Sequence, residues 1–448
     1  MKRTFVLQSL AHPARVVPLA FLFAIFIGTL LLMTPWATAA DGTAPLLVAL
    51  FTSVSAVCVT GLIVVDTATY WSGFGQLVIM LLFQFGGFGF MTAATLLGVL
   101  VSRRLGLSGR LIAQAENRTL SLGDVSEVVR LIFAVTVVTE AAVALVLIAR
   151  FVTLDGAGLG EAIWSGVFHS ISAFNNAGFS VFSDGLMGFS SDWLVLGAVM
   201  VGIVIGGIGF PVIADLKKHR FHRWRWSVHT KLTIIGYAAL FLIGSVGTAI
   251  IEWDNAEIFG AMSSAERVLN SVFHSVVART AGFNSVDVGQ MRSETLALTY
   301  LLMFIGGGSA GTAGGIKVTT AMVLVVAVVA EVRGERDTNA MGRRIPTPTI
   351  RQALTVVVLG ILAVVLGSYV LLADSNHRLE VVLFEAVSAF STVGLSTGIT
   401  ATLPPSGQVV LISLMYLGRV GTITIATALA LKRTPALHRY PEERPIIG

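Results

Sequence analysis

The chain has 448 residues, of which 55% are hydrophobic and 12% are charged, and its mean hydropathy is +0.84. A soluble protein of this length needs far more polar surface, so the composition excludes that class and predicts a polytopic membrane protein. The formal net charge of +5 is divided among short loops, which argues against nucleic-acid binding. The single cysteine excludes an intramolecular disulfide framework.

Eight apolar stretches are long enough to cross a bilayer, which takes about 20 helical residues. They lie near residues 16–36, 72–101, 131–151, 192–214, 231–252, 295–330, 352–373 and 407–431. The first stretch also resembles a secretory signal, because basic residues precede it and Ala37-Thr38-Ala39 resembles a cleavage site. Its apolar run exceeds the usual signal core of about 7–15 residues, so a first transmembrane helix is favoured.

Basic residues are concentrated in alternate segments between these stretches. Of the 30 Lys and Arg residues, 23 fall in segments 1–15, 102–130, 215–231, 331–351 and 432–448. Under the positive-inside rule, these segments and both termini are cytoplasmic. We therefore expect a multi-pass protein of the cell membrane.

A short segment recurs four times between the apolar stretches. The copies read FTSVSAVCVTGL (51–62), FHSISAFNNAGF (168–179), FHSVVARTAGF (273–283) and FEAVSAFSTVGL (384–395). Each is too short to span a bilayer and too apolar for an exposed loop, which predicts a re-entrant half-helix followed by an extended turn. The predicted fold is an all-α polytopic membrane protein of four M1–P–M2 repeats, with eight transmembrane helices, four re-entrant pore loops and pseudo-four-fold symmetry.

The repeat also predicts how the chain is divided. We expect a cytoplasmic N-terminus, four repeats of which only the third has a broken second helix, and a cytoplasmic tail, at residues 1–15, 16–101, 102–214, 215–330, 331–431 and 432–448. Glycine clusters begin 24–28 residues after each repeat glycine. Close helix packing explains one such cluster, whereas four similar offsets favour pore-lining helices that bend.

The glycine that ends each copy is a candidate for an ion filter. Rings of backbone carbonyls can replace the water shell of a potassium ion, and glycine adopts the backbone angles that turn carbonyls toward an axis. The predicted K+ site is formed by the carbonyls of Val59, Thr60, Gly61, Asn176, Ala177, Gly178, Thr280, Ala281, Gly282, Thr392, Val393 and Gly394. No carboxylate stands at the glycine level, which argues against a divalent-selective filter.

Several polar residues near the repeats have two interpretations each. Asp66, Asp184 and Asp287 follow filter glycines and either concentrate cations at the mouth or are ordinary solvated acids. His169 and His274 share one position in two copies and are more often packing residues than metal ligands.

The sixth apolar stretch is interrupted by small residues that cannot form a stable helix, since each glycine costs about 1 kcal/mol relative to alanine. They are Gly306, Gly307, Gly308, Ser309, Ala310, Gly311, Thr312, Ala313, Gly314 and Gly315, and Lys317 follows. The run contains G-x-G-x-x-G, but no predicted strand precedes it, which argues against a dinucleotide site.

Charged residues inside the apolar stretches are expected to be functional. Arg419, in the eighth stretch, would repel cations if it faced a cavity; the alternative is a partner carboxylate such as Glu140. Arg279 and Glu385, in two of the half-helices, could form an ion pair that supports the filter.

The motifs VCVTGLIVVD, FNNAGF, RTAGFNS and STVGLSTGIT resemble the four pore loops of the Trk/Ktr/HKT superfamily of potassium transporters, and the resemblance covers essentially the whole chain. The chain is most similar to Ktr-type pore subunits. The resemblance implies channel-like, potassium-selective uptake, because all four loops carry glycine. It also implies a gate formed by residues 306–315, Lys317 and Arg419.

The resemblance implies partners as well. They are a second copy of the chain in a homodimer, surrounding membrane lipid, and a cytoplasmic ring of nucleotide-binding RCK subunits of the KtrA type. The ring would dock on the basic loops and tail, and the nucleotide would be bound by the ring alone. A Na+- or H+-coupled secondary transporter with alternating access stays open. An intramembrane enzyme is disfavoured, because no Ser/His or Asp/Asp pair stands at catalytic spacing within the spans.

Overall fold

The computed structural model describes residues 13–103, 122–154, 158–220, 222–421 and 443. The predicted N-terminal segment up to residue 12, most of the loop 102–130, and the end of the eighth stretch with the tail, apart from Glu443, lie outside the described residues. The helices are α1 (Pro13–Leu32), α2 (Leu46–Val57), α3 (Thr67–Tyr70), α4 (Gly73–Arg103), α5 (Leu122–Leu154), α6 (Leu159–Asn175), α7 (Trp193–Gly207), α8 (Phe210–His219), α9 (Val228–Glu252), α10 (Ala256–Phe259), α11 (Ser264–Val277), α12 (Ser293–Phe304), α13 (Val318–Val332), α14 (Thr347–Ala373), α15 (Leu379–Ser391) and α16 (Pro405–Tyr416).

The remaining regular structure is slight. A two-residue antiparallel pair, β1 (Asn339–Ala340) and β2 (Arg343–Arg344), joins α13 to α14. Short 3-10 turns cover Met187–Phe189, Arg223–Arg225, Val288–Gln290 and Thr400–Thr402, and a π-turn at Leu417–Gly421 follows α16. The described chain is therefore helical, as the composition predicts.

Three described helices are long and apolar enough to cross a membrane: Val129–Leu154 within α5, α9 and α14. A fourth span is counted if α7 and α8 are taken together, although they are bent by 91°. Shorter apolar helices include Val17–Leu32, Gly73–Gly89, Ser293–Phe304 and Val318–Val332. The helical membrane architecture agrees with the sequence, whereas the count of eight crossings stays a prediction.

Each copy of the repeated segment contains the last turns of a short helix and the loop that follows it. These four helices lie at the centre of the fold. They are α2, α6, α11 and α15, and each stops three to five residues before its repeat glycine. The phenylalanine that opens each copy is 0% exposed in all four, at Phe51, Phe168, Phe273 and Phe384. These four rings anchor the short helices by burying large apolar surfaces.

The short helices are packed in a closed cycle. The helix that follows each one contacts the short helix of the next unit: α4 contacts α6, α7 contacts α11, α12 contacts α15 and α16 contacts α2. The outer faces of α5, α9 and α14 carry exposed apolar side chains such as Val138, Leu242 and Leu366. An apolar exterior around a polar, glycine-rich centre is the arrangement that a bilayer stabilises.

The expectation that only the third unit has a broken second helix is wrong. In the second unit the chain turns by 91° between α7 and α8, around Gly209, which has φ of 96°. Pro211 then lies in the first turn of α8, a position that proline favours. By contrast, α4 continues without a break through its own glycine cluster at residues 86–89.

Candidate functional site

The four repeat glycines meet in a ring, which we call the glycine ring: Gly61, Gly178, Gly282 and Gly394. A Cβ atom added to any one of them would lie 3.0–3.1 Å from the Cα of the next, in chain order and from the fourth back to the first. Any side chain would therefore strike a neighbouring loop. The sequence prediction that four converging loops require glycine at one position agrees with this geometry.

The backbone of the four loops shares a second feature, because φ is positive at the glycine and again two residues earlier. The earlier residues are Val59 (57°), Asn176 (57°), Thr280 (75°) and Thr392 (50°). Positive φ is strained for β-branched residues, at about 1–3 kcal/mol each. The same departure in all four loops indicates a functional constraint on where their carbonyls point.

A serine six residues before the glycine holds three of the loops in place, and this support was missed from the sequence. Ser55 Oγ accepts from Gly61 N (3.1 Å) and donates to Leu62 O (2.7 Å). Ser172 Oγ donates to Phe179 O (2.8 Å), and Ser388 Oγ accepts from Gly394 N (3.1 Å). The third loop is one residue shorter and uses a backbone bond, from Gly282 N to Val277 O (3.3 Å).

Outside the glycine ring lies a cavity of about 370 Å³, lined by all four glycines. Asp66, Asp184 and Asp287 line this same cavity. Asp66 and Asp287 also accept backbone N–H groups at the starts of short helical turns, from Ala68 (3.0 Å) and Gly289 (2.9 Å). The three acids therefore line one cavity together with the glycines, and two of them also have structural roles there.

The segments that follow the glycines are tied to the short helices by side chains one residue after the repeat phenylalanine. Glu385 accepts hydrogen bonds from Ser396 Oγ (2.6 Å), Thr397 N (3.0 Å) and Thr400 Oγ1 (2.8 Å). His169 bonds Ser180 Oγ through Nε2 (2.9 Å). In the third copy, His274 instead bonds Thr299 Oγ1 of α12 (2.9 Å).

These partners favour the packing interpretation of both histidines. Among the described residues, no group of three or more His, Cys, Asp and Glu side chains could hold a metal ion.

The predicted ion pair between Arg279 and Glu385 is wrong. Arg279 is fully buried, donates to Tyr237 O (3.0 Å), and its guanidinium carbon lies 3.7 Å from the centre of the Tyr237 ring. The side chain therefore joins the third loop to α9, while Glu385 serves the fourth loop. Sequence alone could not assign these partners, because the carbonyl and ring that Arg279 uses are 42 residues away.

Residues 305–317 form a folded, non-helical connection between α12 and α13, which we call the interrupted segment. Gly306 N donates to Ile316 O (2.8 Å), and Val318 N donates to Gly307 O (3.0 Å), which closes the connection into a compact loop. Two of its N–H groups, from Gly308 (2.8 Å) and Thr312 (3.1 Å), donate to the carbonyls of Gly207 and Gly206. The segment thereby satisfies the free carbonyls at the end of α7.

Thr312 lies where the interrupted segment meets the loops of the other units. Its hydroxyl donates to Phe174 O and to Asn176 Oδ1, at 3.2 Å each. Its carbonyl accepts from Arg419, whose other terminal nitrogen donates to Gly86 O (3.2 Å). Lys317 donates within the segment, to the carbonyls of Ala313 and Gly314.

Arg419 therefore joins three parts of the molecule: the fourth unit, the interrupted segment and α4 of the first unit. The side chain is 0% exposed. The alternative that Glu140 is its partner is wrong, since Glu140 instead accepts from Gln84 (3.4 Å) and from Asn175 (3.3 Å). The π-turn that carries Arg419 also brings Gly418 against the end of α15, where a Cβ would collide with Phe390 O.

The glycine clusters have the close-packing role in at least three units. A Cβ on Gly86, Gly206 or Gly418 would collide with the carbonyl at the end of that unit's own short helix. The packing and bending interpretations are therefore compatible, because in the second unit the chain also turns by 91° at Gly209. The same glycine spacing therefore accompanies an unbroken helix in the first unit, α4, and a sharp turn in the second.

The chain matches known proteins along nearly its whole length. A family model described as "TrkH: Cation transport protein" matches residues 8–438. The chain is 40% identical to the Ktr system potassium uptake protein B of Bacillus subtilis, over 97% of both chains. It is 36% identical to the potassium/sodium uptake protein NtpJ of Enterococcus hirae, again over 97% of both.

A solved structure has the same fold. The potassium transporter TrkH from Vibrio parahaemolyticus aligns with a TM-score of 0.70 and 18% identity, over 93% of this chain and 85% of that one. At this identity the likeness concerns the fold. The family model and the 40%-identical relative make this a transport protein rather than an enzyme, and the chain belongs to the TrkH family of cation transport proteins.

Proposed function

We propose that the chain conducts potassium ions across the cell membrane, with the glycine ring as the entrance to a selectivity filter. The single observation that carries the proposal is the ring itself: four loops with the same two positive φ angles and no room for a side chain at the glycine. Carbonyls held at such a site can replace the water shell of K+. Relatives over 97% of the chain are named for potassium uptake, which supports the choice of ion.

The filter would use the carbonyls of the four predicted triplets, which end at Gly61, Gly178, Gly282 and Gly394. The short helices point their carboxyl ends at this site, and their partial negative charges favour a cation there. The three acids at the outer cavity would raise the local cation concentration. The filter would sit at the centre of four M1–P–M2 units and eight crossings, with the predicted boundaries and both termini in the cytoplasm.

The interrupted segment and Arg419 would form the gate. The segment lies against the ends of α6 and α7, and Arg419 fastens its carbonyl at Thr312 to α4. A buried arginine beneath a cation filter opposes the passage of cations. In the arrangement seen here the gate would be closed, and opening would require these hydrogen bonds to break.

Regulation would come from other subunits. We extend to this chain the expectation of a homodimer with one pore in each protomer, and of a cytoplasmic ring of RCK subunits of the KtrA type. The ring would bind the nucleotide and dock on the basic loops and tail. Relatives named as parts of a "Ktr system" support a partner subunit in general terms.

A coupled carrier is the second candidate, and one observation favours it. Two neighbouring helices, in the second and third units, are broken at the same place and bonded to each other, and broken helices meeting near a midplane are typical of alternating-access transporters. A relative named for potassium and sodium uptake leaves room for sodium coupling. A fixed stoichiometry between K+ and Na+ or H+ uptake would favour this candidate over the channel.

The test is K+ and Na+ flux in a bacterium that lacks other potassium uptake systems, with a Ktr-type regulatory subunit supplied. The wild-type chain should restore growth on low potassium, and Gly61→Ser should admit sodium, because its Cβ would lie 2.5 Å from Ala177 O. Selectivity that ignores Gly61→Ser would contradict the filter assignment. Absence of rescue by the wild type would contradict the proposed function itself.

A further inference from the structure

A basic surface lies beyond the point where the second unit turns. α8 leaves α7 at 91°, so it runs across the direction of α7 instead of continuing it. The chain then returns through the 3-10 turn Arg223–Arg225 to the start of α9. We call residues 210–220 and 222–227 the basic arm. If α7 crosses the bilayer, as the proposed function requires, α8 at 91° to it would run parallel to the membrane surface.

The exposed side of the basic arm is uniformly positive. Its exposed basic residues are Lys217, Lys218, Arg220, Arg223 and Arg225. Between the last two stands Trp224, which is 95% exposed and is the most exposed of the large hydrophobic side chains that the structure describes. Tryptophan flanked by arginine is typical of the boundary between water and lipid, where the ring sits among headgroups.

The one acid of the arm is turned inward. Asp215 accepts hydrogen bonds from Ser227 N (2.9 Å) and Thr230 Oγ1 (2.5 Å), and lies 2.7 Å from His219 Nδ1. Trp226 Nε1 donates to Arg220 O (3.1 Å), which closes the turn. The arm is therefore a folded surface whose negative charge is used internally and whose positive charge faces outward.

The arm begins in contact with the interrupted segment. Phe210 N, in its first residue, donates to Ala310 O (3.3 Å). A Cβ on Gly209, just before the arm, would lie 2.5 Å from Ser309 O. Because the backbones of both elements touch here, a force on the arm is transmitted directly to the interrupted segment.

We propose that the basic arm binds the phosphate headgroups of anionic phospholipids, and that this binding holds the interrupted segment in its closed position. The coupling rests on the proposed function, since it requires the interrupted segment to act as the gate. Each basic residue near an anionic leaflet strengthens binding by about fivefold. The arm is one of the basic loops on which the regulatory ring could dock, so an acidic surface of that ring is the competing ligand, and the proposal leaves the other basic loops and the tail to the ring. The exposed tryptophan and the orientation of the arm across α7 favour lipid.

Binding is tested on the purified full chain in phosphatidylcholine vesicles with and without phosphatidylglycerol. Cys58 is the only cysteine and is buried, so His222→Cys places a single accessible thiol on the arm for a fluorophore. Spin-labelled phosphatidylglycerol should quench this fluorophore. Removing four arm charges should weaken the quenching at least about tenfold; the substitutions are Lys217→Gln, Lys218→Gln, Arg223→Gln and Arg225→Gln.

A matched control removes four charges from the loop between α13 and α14, which does not contact the interrupted segment through a described backbone bond: Arg333→Gln, Arg336→Gln, Arg343→Gln and Arg344→Gln. The control should keep the quenching of the wild type. Equal quenching in the arm variant, or equal loss in the control, would overturn the proposed binding site. The proposal would also be overturned if phosphatidylglycerol did not quench the fluorophore on the arm while an added RCK ring protected the arm thiol from labelling.

Coupling is tested by potassium flux in the same vesicles. Phosphatidylglycerol should lower the flux of the wild type severalfold and leave the flux of the arm variant unchanged. Wild-type flux that is independent of phosphatidylglycerol, while quenching persists, would overturn the coupling. A complete lack of flux in every bilayer would count against the proposed function instead, because the quenching measurement does not depend on transport.

Discussion

The hydroxyl of Thr312 donates a hydrogen bond to the side-chain oxygen of Asn176, at 3.2 Å. Thr312 belongs to the interrupted segment, whereas Asn176 lies two residues before Gly178 and has a positive φ of 57°. A side chain of the proposed gate is thus bonded directly to a loop of the proposed filter. Movement of the proposed gate would therefore change the surroundings of this filter loop, and the segment also packs against Thr280 and Thr392 of the third and fourth loops.

Replacing Thr312 by valine tests this link. Valine has nearly the same shape but lacks the hydroxyl proton that Thr312 shares between Asn176 Oδ1 and Phe174 O, so the closed arrangement loses this bifurcated hydrogen bond. A net contribution of about 0.5–1.5 kcal/mol from this one donor predicts a rise in basal potassium flux of about twofold to tenfold. The measurement is flux in vesicles without a regulatory subunit.

Thr312→Ser is the matched control for that change, because it keeps the hydroxyl and the carbonyl that Arg419 binds. Its flux should stay near that of the wild type. If the serine variant conducts as freely as the valine variant, the methyl group matters instead of the hydrogen bonds, and the proposed link is wrong.

Arg419→Ala should raise potassium flux or loosen its dependence on the regulatory subunit. The change removes a buried charge and frees the carbonyls of Thr312 and Gly86, which Arg419 holds together. Arg419→Lys keeps the charge but replaces a planar fork by a single ammonium group, which is a poor substitute for two fixed contacts. Lysine should therefore give intermediate flux, and unchanged uptake kinetics in both variants would exclude a gating role for Arg419.

Local features of the site could be predicted from the sequence, and contacts between distant segments could not. The four short helices and their glycines follow from apolar runs too short to span and from one residue type at one spacing. Three copies also share a serine four residues after the repeat phenylalanine, and this could have been noticed in the sequence. The hydrogen bonds that Ser55, Ser172 and Ser388 make depend on the geometry of the loops, which the sequence does not show.

The break at Gly209 was not predicted, although the sequence around it carries a local signal for it. Glycine followed two residues later by proline is a local signal for a helix that stops and restarts. The surrounding residues are strongly apolar, so the signal was outweighed by hydropathy. The turn is stabilised by Ser309 and Ala310, a hundred residues along the chain, and pairwise contacts at this range leave no trace in one sequence.

A fall in pH should weaken the contact between the segments that follow Gly61 and Gly178, which Asp66 and Ser183 join. Asp66 accepts hydrogen bonds from Ser183 Oγ (2.6 Å), Thr69 Oγ1 (2.8 Å) and Ala68 N (3.0 Å). Burial raises the pKa of Asp66, but these bonds lower it by more, so the net pKa is below its usual value. A depressed pKa means that the charged carboxylate stabilises the fold above the unfolded-state pKa of about 3.9.

The stability that Asp66 contributes should therefore be constant near neutral pH and decline as the pH falls through the lower, folded-state pKa. The difference in melting temperature between wild type and Asp66→Asn should shrink below about pH 4. Asp184→Asn is the matched control, because Asp184 lines the same cavity and its carboxylate makes no hydrogen bond within the described residues. A difference for Asp66→Asn that grows on acidification would contradict the assignment.

A comparison of Gly394 with Gly398 can separate two reasons why glycine is needed, namely backbone strain and lack of space for a side chain. Gly394 and Gly398 have almost the same positive φ, 95° and 94°, so φ disfavours alanine at both positions. A Cβ at Gly394 would collide with Thr60 O and lie 3.1 Å from Gly61 Cα, whereas nothing lies within 4 Å of a Cβ at Gly398. Gly394→Ala should therefore abolish or broaden potassium selectivity, while Gly398→Ala should lose only about 1 kcal/mol of stability and keep selectivity. Potassium-to-sodium flux ratios of both variants provide the measurement, and equal ratios would mean that strain, rather than contact within the glycine ring, sets the requirement for glycine.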